Sequence, residues 1–144
     1  MPVRYNISSE LNVTLYVCEG LVTGTDLFNT AAIIFKDKRY KYGMTLLIDL
    51  LSATLDFELQ DFHRVITETN AVKEKGLKPE QIILLSQNKG IDLACKTLNL
   101  MSSTDAMSLH VFDTLEQAFI SLDFTTDHQE IIQFWQESRA SDQK

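Results

Sequence analysis

The sequence predicts an α/β fold with a mixed, mostly parallel sheet flanked by helices, and three observations indicate this class. Two segments near the start alternate apolar and polar residues, which is typical of strands with one buried face. Later apolar runs at 44–51, 81–86 and 109–112 are short, and the second is continuous, as in strands buried on both faces. Segments with helical spacing separate these runs, so the expected order is ββαβαβαβα with right-handed crossovers.

The first two strands are expected to form an antiparallel hairpin. They cover residues 3–8 and 11–19, and a Ser-Ser-Glu sequence provides a tight connection between them. The alternating apolar positions of the two strands are Val3, Tyr5, Ile7, Leu11, Val13, Leu15 and Val17.

Helices are predicted after the second and third strands. The first covers about 25–37, and Thr23 or Thr25 with Asp26 provides its start. Its apolar face is wide, which indicates that most of it is covered by the sheet or by a partner. The second helix runs about 58–75, and Gly76 follows its end.

Three further helices follow along the chain. One begins after the polar loop 86–90 and ends near residue 100, and another, after Asp113 and Thr114, extends to about 122. We assign residues 1–124 to the domain and 125–144 to a C-terminal helical extension, with its helix ending near 138. That helix carries Ile131, Ile132, Phe134 and Trp135, so it is expected either to pack back on its own sheet as a lid or to form a homodimer contact.

Composition excludes some classes of function. The chain has 144 residues, 44% of them hydrophobic, which is typical of one globular domain. Its net charge of −7 disfavours a nucleic-acid partner and purely electrostatic docking on anionic membranes. Cys18 and Cys95 lie far apart without a metal-binding spacing, so we expect free thiols and no metal. No apolar stretch is long enough to span a bilayer and no signal peptide is recognisable, which predicts a cytoplasmic protein.

Polar residues are expected at the carboxyl ends of two strands. An apolar run reaches Asp49 and then opens into what is predicted to be a Ser/Thr loop, and such loops form binding sites on α/β sheets. The polar candidates are Asp49, Ser52, Thr54, Ser86 and Asn88. Asp49 could be a general base, a ligand anchor or a structural acceptor of loop N–H groups; the lack of a neighbouring nucleophile or metal cluster favours the last.

Catalytic constellations are not recognisable in the sequence. His63, His110 and His128 are dispersed, and none has a partner at a motif spacing, so they are interpreted as structural or surface residues. Lys89 in the loop 86–90 could help to hold an anion at a helix start, but the nucleotide-binding glycine motifs are missing. We therefore expect no catalytic residues, no cofactor and no enzymatic activity.

Large apolar side chains are concentrated in residues 50–62, interpreted as a loop leading into the second helix. One interpretation places them in the core beneath that helix, and the other has several of them line an apolar pocket beside the first helix. The candidate ligand-binding residues are Leu50, Leu51, Leu55, Phe57, Phe62, Phe28 and Ala32.

The order of these elements resembles the STAS domains, and more narrowly the SpoIIAA-like family of small bacterial proteins, over about residues 2–122. The resemblance depends on the opening 2–7, on Glu19-Gly20, on the helix entry 23–27, and on the segments 46–50 and 111–118. It implies a regulatory or ligand-binding module, and domains of this branch have been likened to lipid-binding folds and to modules that associate with membranes.

One departure from the family pattern is informative. STAS anti-sigma-factor antagonists carry a phosphorylatable serine at the start of the second helix, and Phe57 and Glu58 stand there in this sequence. The leading hypothesis, based on the excess of apolar residues on neighbouring elements in an otherwise acidic chain, is a non-enzymatic module that binds a small hydrophobic ligand or lipid, with peripheral membrane association. The alternative is a regulatory protein-interaction module of the anti-sigma-factor antagonist type that acts without phosphorylation.

Overall fold

A five-stranded mixed sheet with strands in the order β1-β2-β3-β4-β5 forms the centre of the structure, a computed structural model. It describes residues 2–58, 60–61, 64, 67–68, 71, 74, 76, 81–88, 90, 108–121 and 128–140. The elements are β1 (Val3–Ser8), β2 (Val13–Thr23), α1 (Gly24–Lys36), β3 (Thr45–Asp56), β4 (Gln81–Leu85), β5 (Ser108–Phe112), α2 (Leu115–Ser121) and α3 (His128–Ala140).

The sheet confirms the predicted fold class. β1 pairs antiparallel with β2, and the pairs β2–β3, β3–β4 and β4–β5 are all parallel. The hairpin turn places Asn12 at a positive φ of 59°, a conformation that asparagine tolerates better than most residues.

The described residues between 60 and 74 are helical, as the second predicted helix requires. The predicted third helix, together with Leu59, Phe62, His63, Lys89 and Cys95, lies outside the described residues.

The two faces of the sheet have separate apolar cores. On the face covered by α1, which we call the α1 face, Ile34 packs with a cluster that includes Tyr16, Cys18, Leu46 and Leu50. The opposite face, which we call the α3 face, is covered by α2 and α3. Its core residues are Val13, Leu15, Val17, Leu47, Ile83, Leu85, Leu115, Ala118 and Ile131. Burial on both faces explains the continuous apolar run of β4.

β3 is longer than the sequence predicts, which corrects the interpretation of residues 50–56 as a loop. The register of the β2–β3 pair shifts between Val17 and Glu19, since Asp49 pairs with Val17 whereas Ser52 pairs with Glu19. An extra residue of β3 at this irregularity reverses the alternation, so that Ala53 and Leu55 pack on the α1 face. Ser52 and Thr54, whose polar side chains suggested a loop, are exposed residues of this part of the strand.

α1 begins with a capping box formed by Thr23 and Asp26, which selects Thr23 from the two helix starts that the sequence left open. The Thr23 hydroxyl accepts a hydrogen bond from Asp26 N–H at 3.2 Å, and the Asp26 carboxylate accepts one from Thr23 N–H at 2.9 Å. These two bonds satisfy N–H groups that have no partner within the helix. The start of α1 is therefore fixed directly at the end of β2.

Candidate functional site

Asp49 lies on the α3 face of β3 with a side chain only 2% exposed, and both of its carboxylate oxygens have partners. Oδ1 accepts a hydrogen bond from Leu51 N–H at 3.0 Å, and Oδ2 accepts one from Trp135 Nε1 at 2.8 Å. Arg139 Nε lies 3.4 Å from Oδ2 and supplies the compensating charge. Both oxygens of this buried carboxylate therefore have hydrogen-bond partners. Asp49 accepts from the backbone N–H of Leu51 and from the indole N–H of Trp135 on α3.

Arg139 connects α3 to the strand at a second point. Its guanidinium Nη2 donates to Ser52 Oγ at 3.0 Å, and its Cζ lies 5.1 Å from the centre of the Trp135 ring. Ser138 Oγ accepts from Asn6 Nδ2 at 3.1 Å, which extends the contact to β1. α3 is thus packed as a cover over the α3 face, one of the two arrangements that the sequence left open.

The remaining polar candidates serve local turns. Ser86 is buried, and its Oγ accepts from Asn88 N–H at 3.1 Å, while Asn88 Oδ1 accepts from Gly90 N–H at 2.8 Å. Asp49 and Ser52 are brought together through Arg139, whereas Thr54 lies further along β3 and is exposed. Within the part of the chain that the structure describes, the strand order follows the chain order without a reversal.

The apolar candidates divide among three locations. Leu50 is 2% exposed and belongs to the core of the α1 face. Leu51 follows Leu50 in the strand and packs on the opposite, α3 face, so it cannot line a pocket beside α1. Leu55 and Phe57 are half-buried on the side of α1, and Ala32 is exposed on that helix. Phe57 is not in a helical conformation, so it lies before the helix that follows β3 and does not form the first turn of that helix.

An aromatic layer, defined as Phe28, Phe57 and Arg64, joins α1 to the region after β3. The rings of Phe28 and Phe57 are 6.2 Å apart and inclined at 43°, a favourable tilted arrangement. The guanidinium Cζ of Arg64 lies 4.3 Å from the centre of the Phe28 ring, within the range of a cation–π contact. Phe28 and Phe57 remain partly accessible to solvent. This layer contains two of the predicted ligand-binding residues.

Two charged residues were missed by sequence reasoning, namely Arg64 within this layer and Asp61 beside Gly24 at the start of α1. Arg64 lies in the helix that follows β3, and no local spacing in the sequence relates it to Phe28 on α1. Asp61 Oδ2 accepts from Glu58 N–H at 2.7 Å, and a Cβ atom on Gly24 would lie 2.5 Å from Asp61 Cγ. Gly24 is therefore required for the close approach of the two helix starts.

Two ionisable side chains of β2 are held in neutral form by burial. Burial raises the pKa of the Cys18 thiol to about 12 and also raises the pKa of Tyr16. Cys18 is therefore an unreactive core residue. Within the described residues there is no group of His, Cys, Asp and Glu side chains that could hold a metal ion. No described helix is long and apolar enough to cross a membrane.

Comparison with known proteins identifies the fold. No family model matches the sequence, and no curated protein matches it either. Among solved structures, the chain is similar to an uncharacterised protein of the DUF3478 family with a SpoIIAA-like fold from Shewanella loihica PV-4. The two share 14% identity with a TM-score of 0.53, over 84% of this chain and 92% of the other. The chain therefore has a SpoIIAA-like fold, with α3 as an extra C-terminal helix.

Proposed function

We propose that the protein is a non-enzymatic binding module that takes a small hydrophobic molecule, such as a lipid or a fatty acyl chain, at the aromatic layer. The single observation that carries this proposal is the contact of Phe28 with both the Phe57 ring and the Arg64 guanidinium at a partly accessible position. Binding sites for apolar molecules combine aromatic walls with a few oriented polar groups, and this layer provides both.

A ligand at the aromatic layer would meet apolar side chains at one end and the guanidinium of Arg64 at the other. Leu55 is half-buried on the same side of β3, and Ala32 follows Phe28 by four residues on the same side of α1. Arg64 pairs with Glu68 at 3.5 Å, but both side chains are exposed, so this pair is weak and a ligand could replace it. An amphiphile with an acyl chain and a carboxylate or phosphate head would suit this combination.

A protein-interaction module of the anti-sigma-factor antagonist type remains the alternative. Phe57 and Glu58 occupy the turn between β3 and the helix that follows it directly, and neither side chain can accept a phosphate. A partner switch at this turn would have to work without phosphorylation. The aromatic layer lies at the same turn, which favours the hydrophobic ligand.

Native mass spectrometry of freshly purified protein, with analysis of its organic extract, tests the proposal. We expect an additional mass in stoichiometric amount that leaves on denaturation as an apolar molecule. Ala32→Glu should reduce this occupancy at least tenfold, because it places a charge beside the layer without removing a core side chain. Gln136→Glu is the matched control, since it adds the same charge at an exposed position of α3.

Three results would contradict the proposal. They are a wild-type protein without additional mass that also fails to take up a fluorescent fatty acid, an Ala32→Glu variant with full occupancy, and a control that loses the ligand equally. Capture of a protein partner at the Phe57 turn, with no lipid in the extract, would instead support the regulatory alternative.

A further inference from the structure

A cluster of cations follows α1 in an otherwise acidic chain. Residues 36–42, which we call the basic turn, contain four of the chain's 13 lysine and arginine residues and only one carboxylate. The rest of the chain is correspondingly more negative than the total charge of −7 indicates. The average composition, which disfavours an anionic partner, therefore conceals a local surface of opposite sign.

Hydrogen bonds fix the shape of the basic turn. The Asp37 carboxylate accepts from Arg39 N–H at 2.9 Å, from Arg39 Nη2 at 2.9 Å and from Tyr5 OH at 3.1 Å. These bonds to Arg39 hold the pKa of the Asp37 carboxyl well below its usual range. Tyr40 is buried and packs edge-on against Phe35, with ring centres 4.9 Å apart. The turn is thus preorganised by contacts to the core and to β1.

The three lysines of the basic turn are available for contacts with a binding partner. Lys36, Lys38 and Lys41 are exposed, and none of them forms an ion pair within the described part of the chain. The only carboxylate of the turn is already paired with Arg39. Three positive charges therefore face solvent without neutralisation by the described residues.

Exposed apolar side chains flank these lysines. Ile33 is 52% exposed and lies three residues before Lys36, on the same face of α1. Tyr42, directly after Lys41, is 69% exposed. A tyrosine ring combines an apolar body with a polar tip, which suits the boundary between lipid headgroups and acyl chains. Cations flanked by such residues are typical of surfaces that lie on membranes.

We propose that the basic turn, with Ile33 and Tyr42, docks on an anionic bilayer surface. The lysines contact the headgroups, Ile33 and Tyr42 reach the edge of the acyl region, and the acidic remainder of the chain is repelled, which orients the protein. The proposal deepens the proposed function and rests on it in one respect: a module that carries a hydrophobic molecule exchanges it at a bilayer. α1 connects the two places, because Phe28 and Lys36 are about 12 Å apart along the helix at 1.5 Å per residue.

Co-sedimentation with vesicles tests the docking. We expect the full chain to bind vesicles of phosphatidylcholine with 30% phosphatidylserine, and to bind pure phosphatidylcholine at least tenfold more weakly. Replacing Lys36, Lys38 and Lys41 by glutamine should weaken binding on the order of 100-fold, about fivefold for each lysine. Replacement of the same three by arginine is the matched control and should retain binding, whereas Tyr42→Ser should weaken it without changing its dependence on salt.

The outcomes separate docking from ligand binding. The glutamine variant should keep the ligand mass in native mass spectra, so loss of vesicle binding alone supports the docking surface. A wild-type protein that binds anionic vesicles but carries no ligand would contradict the proposed function and leave the docking in place. Equal binding to neutral vesicles, full binding by the glutamine variant, or binding to polyglutamate in preference to vesicles would overturn the docking proposal.

Discussion

Trp135 Nε1 donates a 2.8 Å hydrogen bond to Asp49 Oδ2, and this contact joins two residues that are 86 positions apart. The indole ring also lies beneath the guanidinium of Arg139, which pairs with the same carboxylate. One side chain of α3 therefore satisfies a buried charge of β3 and positions the cation that neutralises it. The stability of the α3 face depends on these three residues together.

Trp135→Phe should lower the free energy of unfolding by about 1–3 kcal/mol, because it removes a donor from a buried carboxylate. Urea denaturation followed by circular dichroism measures the change. In the Asp49→Asn background the donor no longer serves a charge, so the loss should be smaller. Equal losses in both backgrounds would show that the indole contributes by packing alone.

Arg139→Met should destabilise the protein by about 1 kcal/mol, because the pair with Asp49 is lost while the apolar stem is kept, and the guanidinium is partly exposed to solvent. Arg139→Lys should recover only part of this loss, since an ammonium group cannot serve Asp49 and Ser52 in the same planar geometry. Thermal unfolding at low and high salt measures both variants. A Lys variant as stable as the wild type would contradict the role of the guanidinium geometry.

Gly24→Ala should destabilise the protein by about 1–3 kcal/mol, because the new Cβ would lie 2.5 Å from Asp61 Cγ and one helix start must shift. The double variant Gly24→Ala with Asp61→Ala provides the control. Asp61→Ala alone loses the bond to Glu58 N–H, yet it makes room for the methyl group, so the two effects should be strongly non-additive. Additive losses would indicate that the two helix starts are not in contact.

Alkaline pH should destabilise the fold through Cys18. Its pKa is raised from 9.0 to about 12 in the folded protein, so its contribution to stability is complete below pH 9 and is lost as the pH rises towards 12. Urea denaturation of the wild type and of Cys18→Ala between pH 8 and pH 11 should show the smaller decline in the variant. A thiol reagent should modify Cys18 at pH 8 only after unfolding, and rapid modification of the native protein would contradict its burial.

The sequence predicts the hairpin and the class of fold well because alternation is a local signal. Val3, Tyr5 and Ile7 of β1 all pack on the α1 face, as the period of two requires. The extension of β3 to Asp56 was missed because its pattern reverses at an extra residue, and a register shift has no signature in a single strand.

Positions that depend on distant pairing could not be predicted. The Ser/Thr stretch at 52–54 was interpreted as a loop, although Ser52 is a strand residue held by Arg139 of α3. Arg64 above Phe28 depends on the angle between two helices, which the sequence does not express. The sequence shows four cations within residues 36–42, but only the structure shows that Arg39 is already paired with Asp37.

The position of α3 has a consequence for the growing polypeptide on the ribosome. At a synthesis rate of about 5–20 residues per second, roughly 4 to 17 s separate the emergence of Asp49 from that of Trp135. During this interval Leu15 and Leu47 are already made, but Ile131, which completes their cluster, is not. Until α3 has been synthesised, the nascent chain therefore lacks the cover of this apolar surface, which a chaperone can protect and which can otherwise aggregate.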